Sequence, residues 1–258
     1  MKRKLNINID HIATLRQARL GSFPDPIDAI KIIKEVKADG VVMHLREDRR
    51  HIQYNDLVKY RSKYKFHLNL EMAATNEMIN IANKIKPNVV TFVPEKRLEL
   101  TTEGGLNIKK KYTQLVSLTR RLSKGIKVMF FIDPVKSQID KALEIGAYGI
   151  EINTGRYSEC SPKIRNKELL KIKEAAKYAD SLNLYTAAGH GLNEGNLKRL
   201  IKIKEISEYN IGHSIISNAI FHGLHVSIKR MQDIINLSLI HISEPTRQAE
   251  ISYAVFCL

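Results

Sequence analysis

The fold is decided at the start of the chain, where residues 5–15 read LNINIDHIATL. The run LNINID (5–10) is short and rich in isoleucine, as expected of a buried β-strand. An open, doubly wound sheet normally carries a glycine-rich turn after its first strand, and HIATL (11–15) contains no glycine. The stretch therefore favours a (β/α)8 barrel, with the open sheet as the alternative.

Seven further runs of the same kind follow, each flanked by Gly, Asp, Asn or Pro. They are GVVMHL (40–45), FHLNLE (66–71), NVVTFVP (88–94), KVMFFID (127–133), GIEINTG (149–155), NLYTAAG (183–189) and YNIGHSI (209–215). Apolar residues between them recur at helical spacing, as in Met78, Ile79, Ala82 and Ile85 after Thr75. Eight strands alternating with helices predict an α/β protein with one (β/α)8 TIM barrel as its catalytic domain, residues 1–236.

Composition excludes several classes of protein. The 258 residues contain no apolar run near the roughly 18 residues that a membrane helix needs. Cys160 and Cys257 are the only cysteines, so neither a disulfide scaffold nor a cysteine zinc site is expected. The N-terminus shows no secretory signal, which makes the cytoplasm the expected compartment.

The formal net charge of +15 allows two interpretations. A nucleic-acid-binding surface is one alternative. However, the lysines are spread over predicted helix faces, and the chain is rich in Lys, Ile and Asn, which A/T-heavy codons encode. Compositional bias is thus favoured, and the positive field would also steer small anionic substrates to the protein.

Residues 237–258, LSLIHISEPTRQAEISYAVFCL, resemble a translated sequencing adapter. The two ends of such an adapter can be read in a single frame, with a barcode's space between them at residues 248–250. We therefore expect this tail to be non-native and exclude it from the fold.

Polar residues cluster where the predicted strands end. They are Asn8, Asp10, His44, Arg46, Glu71, Glu151, Asn153, His190 and His213. In a barrel these ends converge on one face, where barrel active sites lie. The pattern therefore predicts a single site made by several strands.

Two kinds of anion-binding sequence occur at these ends. HLREDRRH (44–51) gathers His44, Arg46, Arg49, Arg50 and His51 into a predicted cationic clamp for phosphate oxygens. AGHGL (188–192) and NIGHSI (210–215) follow strands seven and eight, the usual phosphate site of barrels.

The loop VPEKRLELTTEGG (93–105) is predicted to act as a lid, with Thr101 touching substrate and the glycines as hinges. Lys96 within it could suggest a Schiff-base lysine, as in an aldolase. Its charged neighbours do not favour that role, although another phosphate-handling barrel, an aldolase or isomerase, stays as an alternative.

Eight segments of the chain together resemble the pyridoxine 5′-phosphate synthase family. Enzymes of this family catalyse the last step of the deoxyxylulose-dependent route to vitamin B6. The segments are NIDHIATLRQARLGSFPDP (8–26), HLREDRRHI (44–52), NLEMAAT (69–75), VPEKRLELTTEGGL (93–106), FIDP (131–134), EINTGRY (151–157), AGHGLN (188–193) and NIGHSII (210–216).

The resemblance implies a transferase that joins 3-amino-2-oxopropyl phosphate to 1-deoxy-D-xylulose 5-phosphate and releases inorganic phosphate and water. It implies a barrel with extra helices, no metal or organic cofactor, and a homo-octamer built from dimers. Partners would be small phosphorylated substrates, with no nucleic acid and no membrane.

The family's site residues match this sequence as follows. Those that hold the aminoacetone phosphate match Asn8, Arg19, Gly191, Gly212 and His213. Those that hold the deoxyxylulose phosphate match Asp10, His11, Arg46, His51 and Thr101. The proton acceptors match His44 and Glu71, the proton donor His190, and the stabiliser of charged intermediates Glu151.

Overall fold

The structure is a computed structural model and describes residues 2–95 and 104–243, the side chains of 237–243 excepted. Three predictions therefore fall wholly or largely outside the described residues. The predicted lid (93–105) with Thr101, and the Schiff-base candidate Lys96, lie wholly or largely in the segment 96–103. Most of the predicted non-native tail lies beyond Ser243.

Eight parallel strands pair in sequence order, and the last pairs with the first to close a barrel. The strands are β1 (Lys4–Asn8), β2 (Gly40–Leu45), β3 (Leu68–Met72), β4 (Val89–Phe92), β5 (Lys127–Ile132), β6 (Gly149–Asn153), β7 (Tyr185–Gly189) and β8 (Glu208–Ile211). Each lies in one of the eight predicted runs, apart from one or two terminal residues. The predicted (β/α)8 barrel is confirmed.

Helices surround the barrel, and the part of the chain that is described contains more of them than simple alternation requires. They are α1 (Asp10–Gln17), a 3-10 turn (Pro26–Asp28), α2 (Ala29–Glu35), α3 (Tyr54–Lys63), α4 (Asn76–Ile85), α5 (Ile108–Arg120), α6 (Lys136–Ile145), α7 (Gly155–Glu159), α8 (Pro162–Ser181), α9 (Glu194–Leu200), α10 (His213–His222) and α11 (Leu224–Ser243). The extra helices follow β1, β6 and β8. Thr75 begins α4 as expected, because its hydroxyl accepts a hydrogen bond from the Met78 N–H.

Side chains alternate between the two faces of each strand, which separates an apolar shell from a polar barrel interior. Ile150 and Ile152 of β6 pack outward in the main hydrophobic core under the helices. Glu151 between them points inward and is 2% exposed. Other buried polar residues share the interior: Asn6, Asn69, Thr91, Glu208 and Asn210. Barrel interiors are usually filled by branched apolar residues. Here the polar side chains at the carboxyl ends of the strands continue into the barrel interior.

None of the helices within residues 2–95 and 104–243 combines the length and apolar character needed to cross a bilayer.

Candidate active site

A cavity of about 740 Å³ opens at the carboxyl ends of the strands. Most of the predicted site residues line it: Asn8, Asp10, His11, His44, Arg46, His51, Glu71, Glu151, His190, Gly191, Gly212 and His213. The structure thus brings together residues from six strands and the loops that follow them. Their individual roles stay predictions.

Arg19 and Arg49 lie elsewhere. Arg19 is exposed in the turn after α1 and is not among the residues that line the cavity. Arg49 was expected in the cationic clamp, but its guanidinium pairs with Glu77 of α4 and with the carbonyl of Arg46. Arg50 does line the cavity, so the clamp consists of Arg46, Arg50 and the two histidines.

Asp10 connects the ends of β1 and β2. One carboxylate oxygen accepts the His44 N–H at 2.8 Å, and the other accepts the Asn8 amide at 2.8 Å. Burial raises the pKa of Asp10, although the nearby His44 and Arg46 and these hydrogen bonds oppose the rise. The network holds the backbone at His44 in place beside the cavity.

The loop after β2 carries the residues of the predicted cationic clamp. Arg46 is 6% exposed and makes a two-point contact with Asp48, whose second partner is Arg50. Burial opposes ionisation of Asp48, but these arginines outweigh it and lower the pKa of that carboxyl. The Asp48 carboxylate therefore pairs with the two guanidinium groups in the way expected of a bound phosphate.

The neutral His51 ring can donate a hydrogen bond through Nε2. Burial, with repulsion from His44 and Arg46, lowers the pKa of His51 to about 3. Its Nδ1 accepts the Ile52 N–H at 2.8 Å, so the single ring proton is on Nε2. A neutral N–H of this kind suits a phosphate oxygen.

The loops after β7 and β8 carry the second predicted anion site. Gly191 (φ 72°) adopts a left-handed backbone, and a Cβ there would lie 2.7 Å from Ser158. A Cβ on Gly212 would meet Asn8 atoms at 2.8–2.9 Å, so only glycine lets the end of β8 approach β1 this closely. Gly212 also precedes α10, whose first turn points its N–H groups and partial positive charge toward the cavity.

His190 is held in a conformation that is costly for a residue other than glycine. Its φ is 80°, in the left-handed region. The Thr154 hydroxyl contacts the carbonyls of Gly189 and His190 at 2.7 and 2.6 Å, which fixes this turn. A Cβ on Gly155 would lie 2.7 Å from the His190 ring, so Gly155 provides the space that the imidazole occupies.

His11 and His213 meet edge to face across the ends of β1 and β8, with ring centroids 4.7 Å apart. Burial, with repulsion from His213, lowers the pKa of His11. Among the described residues none is hydrogen-bonded to the buried Nδ1 of His11. The neutral form of the His11 ring is therefore favoured at the cavity wall.

Glu151 lies at the floor of the cavity, where it is fully enclosed. The Asn210 amide donates to its carboxylate at 2.6 Å, and the Asn6 amide in turn donates to Asn210 at 3.1 Å. A Cβ on Gly189 would lie 2.1 Å from the carboxylate, so this strand position must be glycine. Burial raises the pKa of Glu151 to about 8, and Glu208 adds to the rise.

His44 lies between two carboxylates. Its Nε2 is 3.0 Å from Glu95 and its Nδ1 is 4.0 Å from Glu71, its register neighbour on β3. Glu95 follows β4 and was not predicted as a site residue. The only sequence signal was its position just after a strand, the same signal that identified Glu71.

Asp10, His44 and His51 place ligand atoms within 4.8 Å of one another, close enough to suggest a metal site. The hydrogen bonds do not favour metal binding. His51 Nε2 carries a proton, and His44 Nε2 is engaged by Glu95. The cluster fits hydrogen bonding to an anion better than coordination of a cation.

The cavity-lining residues within the described chain include no lysine. A Schiff-base mechanism through a lining lysine, as in the aldolase alternative, therefore has no candidate among them.

Comparisons with known proteins show the family of this chain. Residues 5–237 match the family described as "Pyridoxal phosphate biosynthesis protein PdxJ". Pyridoxine 5′-phosphate synthase from Sulfurihydrogenibium sp. (strain YO3AOP1) is 51% identical over 236 residues, which cover 90% of this chain and 97% of that protein. The enzyme of the same name from Geotalea uraniireducens (strain Rf4) is 49% identical, covering 90% and 98%.

A solved structure supports the fold alone. Thiamine phosphate pyrophosphorylase from Pyrococcus furiosus superposes with a TM-score of 0.61 at 11% identity, covering 92% of this chain and 98% of that one. The sequence match spans nearly the whole barrel, and the chain belongs to the PdxJ family of pyridoxal phosphate biosynthesis proteins.

Proposed function

We propose that this chain is a pyridoxine 5′-phosphate synthase, which condenses 3-amino-2-oxopropyl phosphate with 1-deoxy-D-xylulose 5-phosphate and closes the pyridine ring. The observation that carries the proposal is one cavity lined by acid–base side chains, by the arginines of the loop after β2 and by the glycine-rich loops after β7 and β8. Two anion sites suit two phosphorylated substrates, and the relatives' names supply the product.

Each substrate is assigned to one site. Arg46 and His51, with Asp10, His11 and Thr101, would hold the deoxyxylulose phosphate. Asn8, Gly191, Gly212 and His213, together with Arg19, would hold the aminoacetone phosphate. Binding both in one cavity supplies the proximity that a condensation between two molecules requires.

The acid–base residues then move protons. Imine formation, loss of water and ring closure each transfer protons to or from carbon, nitrogen and oxygen. His44 and Glu71 would accept protons, and His190 would donate one to a leaving hydroxyl. Glu151, neutral in the empty site, would ionise when a cationic intermediate lies above it and stabilise that charge.

Several properties follow from the same proposal. The reaction would need no metal or organic cofactor, because the proton transfers are carried by side chains. The protein would act on small phosphorylated substrates rather than on nucleic acid or membranes, in the cytoplasm, as a homo-octamer of four dimers. Light scattering of the purified protein measures that assembly.

The decisive experiment mixes the purified protein with both substrates and follows the pyridine product by absorbance. Product should form only when both substrates are present, with release of inorganic phosphate. Glu144→Gln, an exposed change on α6, serves as the control variant with full activity. Absence of product, or a lysine adduct trapped by borohydride, would overturn the proposal.

A further inference from the structure

Glu95 lies in the segment VPEKRLELTTEGGL (93–106), where it was not predicted to have a role in the site. Glu95 follows β4 and faces His44 across the cavity wall. The Glu95 Oε1 lies 3.0 Å from His44 Nε2, and the side chain of Glu95 is 4% exposed. Its other oxygen accepts the Glu47 N–H at 2.8 Å. Both carboxylate oxygens are thus held in fixed directions.

Glu95 is ionised in this setting. Burial alone would raise the pKa of Glu95, but hydrogen bonds from His44 and the Glu47 N–H outweigh it and lower the pKa. An ionised carboxylate can only accept hydrogen bonds. His44 Nε2 must therefore carry a proton and donate a hydrogen bond to Glu95.

This hydrogen bond determines which nitrogen of His44 can act as a base. A neutral imidazole has one protonated nitrogen and one lone pair. With Nε2 protonated, the lone pair is on Nδ1, the atom that lies 4.0 Å from Glu71. Three other charged or titratable groups of the described chain surround His44. They are Asp10, which accepts its backbone N–H, Arg46, and His51, whose ring centroid is 5.8 Å away.

We propose that Glu95 is a positioning residue, which keeps the His44 proton on Nε2 and so directs the basic Nδ1 toward Glu71 and the substrate. The inference rests on the proposed function, in which His44 accepts a substrate proton. As a substrate C–H or N–H bond breaks, its proton passes to Nδ1 and its electron pair stays on the substrate. The imidazolium that forms lies between two carboxylates, which stabilise it until the proton is returned.

Kinetics of two substitutions test this role. Glu95→Gln keeps the shape but loses the charge, and its amide can donate to Nε2 and favour the opposite tautomer. We expect kcat to fall by roughly 10- to 100-fold, part of what a general base contributes, with KM changed less than about twofold. Glu95→Asp should recover part of kcat, and Glu144→Gln should match the wild type. Wild-type kcat in Glu95→Gln, or equal changes in kcat and KM, would overturn the proposal.

Nitrogen NMR of protein labelled with ¹⁵N-histidine provides a test that needs no activity. The His44 signals are assigned by their loss in His44→Gln. For the neutral His44 ring of the wild type we expect a protonated Nε2 and an unprotonated Nδ1, and in Glu95→Gln a shift toward protonated Nδ1. Protonated Nδ1 with bare Nε2 in the wild type would overturn the proposal even if Glu95→Gln failed to fold. Failure to make product would instead count against the proposed function and leave this result unchanged.

Discussion

Arg16 and Asp56 form a buried bidentate ion pair, with guanidinium nitrogens 2.7 and 2.8 Å from the two carboxylate oxygens. Arg16 also donates to the His51 carbonyl at 3.1 Å, and Asp56 accepts the Gln53 N–H at 2.8 Å. The pair therefore ties α1 to the start of α3 and fixes the loop that carries His51. A structural ion pair thus supports the loop in which the cationic clamp is predicted.

Asp56→Asn should destabilise the fold and weaken binding at this loop. Removing one partner of a buried ion pair leaves a buried charge without compensation, at a cost of about 3–5 kcal/mol. The double variant Arg16→Met with Asp56→Leu should regain much of that stability but still bind deoxyxylulose phosphate weakly, because His51 has lost its anchor. Urea unfolding and calorimetric titration measure the two effects. Full affinity in the double variant would show that the pair does not position His51.

Arg46→Ala should weaken binding of deoxyxylulose phosphate much more than binding of aminoacetone phosphate. Losing a charge-assisted hydrogen bond to phosphate costs about 1.5–3 kcal/mol, or roughly 10- to 150-fold in affinity. Arg49→Ala is the matched control, since Arg49 lies in the same loop but pairs with Glu77. Calorimetry with each substrate alone gives the affinities. Equal weakening for both substrates would contradict the assignment of separate sites.

Glu151 should make the protein less stable as the pH rises from about 4.5 to about 8. The pKa of Glu151 is about 8 in the folded protein, against an ordinary value of 4.5. Between these values the folded state binds more protons than the unfolded state, so the free energy of unfolding falls with pH, by at most about 1.4 kcal/mol per pH unit.

Glu151→Gln removes this dependence, so its free energy of unfolding should fall less steeply over the same range. Burial also raises the pKa values of Asp10 and Glu208, so some slope with the same sign stays. Urea unfolding at intervals between pH 5 and pH 8.5 measures the slopes. The prediction fails if wild type and Glu151→Gln show the same pH dependence.

Deleting residues 237–258 should leave folding and activity unchanged or improve them. The described helix α11 continues to Ser243, so two truncations are informative, one ending at Asn236 and one at Ser243. Residues Ile228, Met231 and Ile235 of α11 are buried in the main hydrophobic core and are kept in both. Thermal unfolding of both truncations is compared with that of the full chain. Loss of cooperative unfolding in the shorter one would show that 237–243 are structural.

The fold was predictable from sequence because both of its periodicities are local. Isoleucines in GIEIN (149–153) alternate with a glutamate, and the helix after Thr75 repeats every three to four residues, so each element could be recognised by itself. Convergence of the strand ends then follows from barrel topology. For the same reason His44, Glu71 and His190 could be placed in one cavity without coordinates.

Contacts that depend on the exact path of a loop were not predictable. Glu95 looks like an ordinary charge in a polar loop, and only the closed barrel brings it to His44. Asp48 lies two residues from Arg46, but the turn that directs its carboxylate onto that guanidinium could not be read from the spacing. Arg49 was wrongly predicted to belong to the cationic clamp. Its sequence neighbours face the cavity, but the backbone turns at Arg49, where φ is 52°. Side-chain direction in such turns is set by tertiary structure, which residue spacing does not encode.

Glu71→Gln should bind both substrates nearly normally and turn them over about 10²–10⁴-fold more slowly, the usual contribution of one general base. Glu71 follows the alternation of β3 to face the cavity, and its Oε2 lies 4.0 Å from His44 Nδ1. Gln keeps the size and hydrogen-bonding capacity of the side chain but cannot take a proton. If Glu71 were instead a structural carboxylate, the substitution would lower the melting temperature and the activity together. Affinity, turnover and thermal unfolding are therefore measured on the same preparation, with Glu144→Gln as control. Turnover close to that of the wild type, or a loss accounted for by unfolding, would remove Glu71 from the mechanism.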